Sequence, residues 1–228
     1  MDKKEVKPEE KVEKRFKFLI KGWKTELLRY KYYILIALLF LIVANFTNTL
    51  AGNYVTYVAQ VVEVPDLILD NIGPYDWSFS FVYISIILVY GLFLYPLIFY
   101  VKKFYQVLIQ FSLLSMFRSF FIILTHLQTS ADAIQIKFPG ILNTFVFSND
   151  LFFSGHTAFS FLGFLIFKDR KIKWFFLIGA IYMAITTLVT HRHYSIDVLA
   201  AFFIAYGSFK IGERIIKKVN SYERKKKE

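Results

Sequence analysis

Six mostly apolar runs follow one another along the chain, at 32–50, 77–100, 104–125, 151–167, 174–190 and 194–211. A helix needs about 20 such residues to cross the hydrocarbon core of a bilayer. The pattern therefore predicts an all-α membrane protein, a bundle of six transmembrane helices of which the fourth and fifth are the shortest. Polar residues gather between the runs. They divide the chain into a basic tail (1–31), a membrane domain (32–211) and a second basic tail (212–228), with no internal repeat; Pro139-Gly140 marks a turn in a loop. In the first tail Phe16, Leu19, Ile20, Trp23 and Leu27 recur at helical spacing, while Lys14, Arg15, Lys17, Lys21 and Lys24 fill other positions. Two readings fit this stretch equally: an amphipathic helix lying on anionic lipid, or a solvated charged tail.

Composition agrees with the membrane reading. The chain has 228 residues, 56% hydrophobic and 20% aromatic, above the roughly 45–50% apolar share of soluble domains. A net charge of +11 would suit a nucleic-acid partner, but the Lys and Arg sit almost wholly in the tails and two short connections, which argues against one. They serve instead as topology signals, because cytoplasmic loops carry the positive excess. Lys102 and Lys103 join helices two and three; Lys168, Arg170, Lys171 and Lys173 join four and five. The alternate connections are poor in cations: 51–76 has none and 126–150 has a single Lys137. Both termini are accordingly expected in the cytoplasm. The start is too charged for the leading region of a signal peptide and is expected to stay attached. With no cysteine, disulfides, thiolate chemistry and Cys-ligated zinc are excluded.

Polar groups at the outer ends of these helices are the candidates for chemistry, since polar side chains within a bilayer are costly. The first group runs from Asp150 through Ser154, Gly155 and His156 to Thr157, where a loop turns into helix four. Ser154 can cap that helix, whose free N–H groups and positive dipole end suit a phosphate, and Gly155 lets a ligand approach the backbone. Asp150 can orient His156 or Ser154, or stand as a solvated acid. The second group is His193, Tyr194, Ser195 and Asp197 at the outer start of helix six. Spacing of four places His193 and Asp197 on one face, so the carboxylate can hold Nδ1–H and leave Nε2 free as a nucleophile, with Tyr194 beside them in a supporting position. The third is Arg118, about 10 to 12 Å from the outer end of helix three by helical rise, a fork suited to a phosphate. Arg192 is a further loop cation. His126 and His191 have no partner at a telling spacing. No ligand cluster supports a metal site beyond the two His and one Asp.

These residues resemble the type 2 phosphatidic acid phosphatase superfamily, and within it the sphingomyelin synthase branch. Asp150 to Thr157 is similar to that branch's Asp followed by Ser-Gly-His-Thr; His193, Tyr194, Ser195, Asp197, Val198, Ala201, Phe202 and Phe209 fit its second motif. Phe117-Arg118 with Thr125 and Leu127 is more loosely similar to its arginine motif. The resemblance implies a six-helix core, catalysis without metal or other cofactor, and a triad of His156, His193 and Asp197. By the family's mechanism His193 attacks the lipid phosphorus, Asp197 orients it, and His156 serves as acid and then base. Departures are also present. Plain lipid phosphatases carry an Arg six residues before the nucleophile, where this chain has Thr187, and an Arg-Pro pair that it lacks; synthases carry Cys-Gly where Ser148-Asn149 stands, and Tyr-His where Gly212-Glu213 stands.

The expected activity is transfer of a phosphoalcohol headgroup, such as phosphocholine or phosphoethanolamine, from a phospholipid donor to a lipid-alcohol acceptor such as ceramide or diacylglycerol, within the lipid bilayer and on the non-cytoplasmic side. A phosphatase or phospholipase C-type hydrolase would use the same residues, and a transporter or scaffold is the reading from another class. A transporter is expected to show interrupted helices with midplane polar groups, not polar groups at one end. The terminal lysines Lys225 and Lys226 resemble an endoplasmic-reticulum retrieval signal; a bacterial inner membrane fits the chain as well as the endoplasmic reticulum or Golgi.

Overall fold

The computed structural model describes the backbone of residues 8–225 and the side chains of 20–221. Each apolar run corresponds to one helix: α1 (Pro8–Tyr57), α2 (Ser78–Phe99), α3 (Val101–Leu124), α4 (Gly155–Ile166), α5 (Lys173–Val189) and α6 (Ser195–Lys225). Two short 3₁₀ turns, Leu69–Asn71 and Gly140–Phe145, lie in the connections. Among the described residues there is no strand, only one isolated bridge between Val62 and Leu127.

Segments within α1, α2, α3 and α6 are long and apolar enough to cross a membrane, as in a multi-pass membrane protein. Helix α4 has 12 residues and α5 has 17, rises of about 18 and 26 Å against a hydrocarbon core of about 30 Å. The sequence pattern counted 151–153 into the fourth helix. In the structure Leu151 and Phe153 are buried but not helical, and Phe152 has φ 107°, because the Ser154 cap starts the helix at Gly155.

At the other extreme, α1 runs unbroken from the basic tail through the first apolar run. Pro8 suits a first helical turn, where its missing N–H is no loss. Phe16 and Leu19 lie outside the described side chains. Trp23 and Leu27 pack beside the core formed by Ile34, Val101, Tyr105 and Leu108, and the Trp23 indole donates to the Leu97 carbonyl at 2.7 Å. This part of the tail is docked on protein, an arrangement that neither of the two sequence readings includes.

The main core joins Phe81, Leu88 and Leu92 of α2, Leu114 of α3, Leu162 of α4, Phe176 and Met183 of α5, and Ala201 and Ala205 of α6. Small residues set the close approaches, as expected where helices associate by packing. A Cβ at Gly163 would run into the Phe176 ring. Outward faces are apolar too, including Ile36, Val43 and Phe46 on α1 and Phe203 on α6. Broad apolar surfaces of this kind suit contact with lipid tails.

The two ends of the bundle differ chemically. At one, Lys168 pairs with Glu213 at 3.1 Å and Arg170 lies 4.2 Å over the Tyr100 ring, so both short basic connections meet there. At the other, the long connections are stitched together: Tyr75 N–H to the Val189 carbonyl at 2.9 Å, and Ile134 N–H to the Thr190 carbonyl at 3.0 Å. The histidine motifs begin their helices at this second end.

Candidate active site

Two helix starts build the site. Ser154 caps α4, its hydroxyl oxygen accepting from Thr157 N–H at 3.4 Å and from the Thr157 hydroxyl at 3.1 Å. Its own N–H donates to the backbone carbonyl of Asp197 at 3.1 Å, tying the start of α4 to the first turn of α6. In that turn the fully buried Asp197 takes two donors on Oδ2, His193 Nδ1 at 3.1 Å and Tyr194 N–H at 3.2 Å. His193 Nε2 has no protein partner among the described residues.

Arg118 comes from α3 and is 7% exposed. Its guanidinium is gripped by Asn48 Oδ1 at 3.1 Å, by the Asp150 carbonyl at 3.0 Å and by the Asp150 carboxylate. The remaining Nε is buried without a hydrogen-bond partner, as is Asp197 Oδ1. Such atoms are uncommon and each calls for a reason; Gln110 Oε1 and Ser208 Oγ, away from these cavities, share the condition. Gly155 lets Arg118 lie against the start of α4, since a Cβ there would stand 2.9 Å from Nε.

These groups surround a cavity of about 410 Å³, lined by His156, His193, Arg118, Asp150 and Arg192 together with apolar residues of α2 and the 126–150 connection. The His156 ring is held edge-on by Phe81, centroids 4.7 Å apart, and flat by Phe138 at 5.9 Å. A second chamber of about 200 Å³ adjoins it and shares Arg118, Asp150 and His156. The arrangement offers a nucleophilic imidazole, a second imidazole and a fixed guanidinium around one volume, which is a constellation for displacement at an anionic centre.

Residues 148–213 match the PAP2 superfamily C-terminal family. The match supports the type 2 phosphatidic acid phosphatase superfamily. No curated protein matches the chain. The PAP2 match holds Asp150, His156, His193 and Asp197, whereas Arg118 and Asn48 lie outside it and reach the site through the fold.

Of the residues that the sequence singled out, His156, His193, Arg118, Asp150 and Arg192 line the larger cavity and Gly155 the smaller. Ser154 and Asp197 stand behind them. Tyr194 points elsewhere: its hydroxyl donates to the Gln128 carbonyl at 2.8 Å and accepts from Val64 N–H at 3.3 Å, so it ties two connections together. His191 is buried with Nε2 2.7 Å from the Ile72 carbonyl, and His126 Nε2 lies 3.1 Å from the Ile123 carbonyl; neither lines either of these two cavities.

Sequence reasoning missed Asn48 and Asp66. Asn48 was visible as a polar residue inside an apolar run, with Asn45 one turn before it. Asp66 Oδ2 accepts from the Ser195 N–H at 2.7 Å and hydroxyl at 2.8 Å, so a residue of a distant connection caps α6. Burial acts to raise its pKa, but hydrogen bonds from Leu69 N–H, the Ser195 hydroxyl and N–H, and Ile68 N–H outweigh it and hold the carboxyl below its ordinary value.

Proposed function

We propose that this chain is an integral-membrane lipid phosphotransferase, similar to the sphingomyelin synthases, which moves a phosphoalcohol headgroup from a glycerophospholipid to a lipid alcohol such as diacylglycerol or ceramide. The PAP2 match makes a phosphatase or phosphotransferase the relevant class. The observation that carries the reading is the position of His193, with Nδ1 on the Asp197 carboxylate and its ring on the same cavity as His156 and Arg118.

In this mechanism the Arg118 guanidinium holds the phosphodiester oxygens. His193 Nε2 attacks phosphorus, an N–P bond forms, and the P–O bond to diacylglycerol breaks as His156 gives its proton to the leaving oxygen. The acceptor hydroxyl then loses its proton to His156 while its oxygen takes phosphorus, and the N–P bond breaks. Asp197 keeps Nδ1 protonated and stabilises the cation formed on attack; hydrogen bonds to charged groups are worth about 1.5–3 kcal/mol. Asp150 positions Arg118. The site end is assigned to the non-cytoplasmic face, with α4 and α5 completing six spans, because the basic connections lie at the opposite end.

The test is turnover of fluorescent diacylglycerol or ceramide by purified protein in glycerophospholipid liposomes. Wild type is expected to make a new fluorescent phospholipid and an acid-labile phosphoenzyme, and His193→Ala neither. Product from His193→Ala at the wild-type rate would remove His193 from the chemistry. Release of only water-soluble phosphate or phosphoalcohol would make the protein a hydrolase that uses the same residues.

A further inference from the structure

Resting on that reading of Arg118 and the two histidines, we propose that the smaller chamber is the headgroup subsite and that it takes an uncharged, hydroxyl-bearing headgroup of the polyol kind. The chamber lies among α1, α2, α3 and α4 and shares Ser85, Val89, Arg118, Phe145, Asp150 and His156 with the larger cavity. A phosphodiester held at Arg118 has two substituents to place. The larger cavity, with Ile86, Phe93 and Leu142 in its wall, suits the acylglycerol side. The smaller has about half that volume, a headgroup's scale, and its wall carries Asn45, Asn48, Ser115 and Ser160.

Hydrogen-bonding capacity sets the ligand class. Among the described residues the Asn45 carboxamide has no hydrogen-bond partner, and Asn48 uses only Oδ1, on Arg118. Ser160 donates to the His156 carbonyl at 2.7 Å and keeps its acceptor lone pairs. Amides and hydroxyls supply donors and acceptors side by side, which matches alcohol groups, each of which both gives and takes a hydrogen bond. An unpartnered carboxamide within a membrane-crossing helix is costly unless a ligand completes it.

Charge weighs against the ammonium alternative. The chamber's carboxylate, Asp150, is committed to Arg118, so a cationic headgroup would face the guanidinium with no free anion. Phe111 and Phe159 stack on each other, centroids 4.1 Å apart at 17°, which leaves each one open face, with Phe145 as the third ring in the wall; these faces would have to outweigh the guanidinium for a cation to be held.

Purified full-length protein in liposomes doped with phosphatidylglycerol, phosphatidylcholine, phosphatidylethanolamine or phosphatidic acid tests this, with loss of each donor followed. Phosphatidic acid presents the same phosphorus without a headgroup alcohol. Wild type is expected to prefer phosphatidylglycerol over the two ammonium lipids by tenfold or more in kcat/KM. Asn45→Leu should lower the ratio of phosphatidylglycerol to phosphatidic acid turnover by at least tenfold, and Asn45→Asp should shift preference toward the ammonium lipids. Equal or better use of phosphatidylcholine by wild type, or an unchanged ratio in both variants, would overturn the subsite while leaving the histidine site standing. Consumption of no lipid, phosphatidic acid included, would overturn the phosphoryl-transfer reading and the subsite with it.

Discussion

At the scale of single residues, the site depends on how closely Arg118 lies over the start of α4. A methyl group at position 155 would meet Nε at 2.9 Å, so the guanidinium must shift by some tenths of an ångström and lose alignment with Asn48 and Asp150. Misplacement of a positioning group by less than 1 Å costs roughly 10- to 100-fold in rate. Gly155→Ala is therefore expected to lower kcat/KM by about that factor with the fold retained, read by donor-lipid turnover beside circular dichroism; full activity would show that Arg118 has room to spare. Residues that act on neighbours in sequence were legible from local pattern: His193 with Asp197 at i and i+4, and Ser154 as the cap of α4. Asn48 was not, because its partner Arg118 is 70 positions away and nothing in local periodicity reports which helices will touch.

At the scale of elements, the same division holds. All six helices were legible because each is a long apolar run. Their ends were not, since they depend on caps: Ser154 shortens α4, and Asp66, from a connection with no apolar signal, caps α6. Removing that cap strands the Ser195, Ile68 and Leu69 N–H groups. Asp66→Ala is expected to cost about 1–3 kcal/mol, by the usual penalty for an unpaired buried donor, measurable as a lower midpoint of thermal unfolding in detergent. The pH dependence follows from the lowered carboxyl. Stability from Asp66 is fully present above its ordinary value near 3.8 and is lost as pH falls through the folded value. The gap between wild type and Asp66→Ala should be constant from about pH 5 to 8 and narrow below about pH 4; a gap that widens in acid would show that the carboxylate does not stabilise this joint.

At the scale of the whole molecule, the segregation of cations at one end and histidines at the other supports the proposed orientation. Lys168, Arg170 and Lys103 gather on the side away from the cavities, and this asymmetry was readable from the sequence because positive charge in short loops is a local count. A reporter fused after Glu228 is expected on the cytoplasmic side, and one inserted in the exposed stretch around Asn71 on the other. Recovery of both on the same side would rule out an odd number of crossings between Asn71 and Glu228, that is, over α2 to α6. The sequence could not show how unequal the helices are. Helix α1 rises about 75 Å and α4 about 18 Å, and α4 is enclosed by its neighbours, with no exposed residue from 155 to 166. Short and enclosed, α4 takes its position from protein contacts, so the cap at Ser154 and the histidine beside it stay in register with α6 whatever surrounds the bundle.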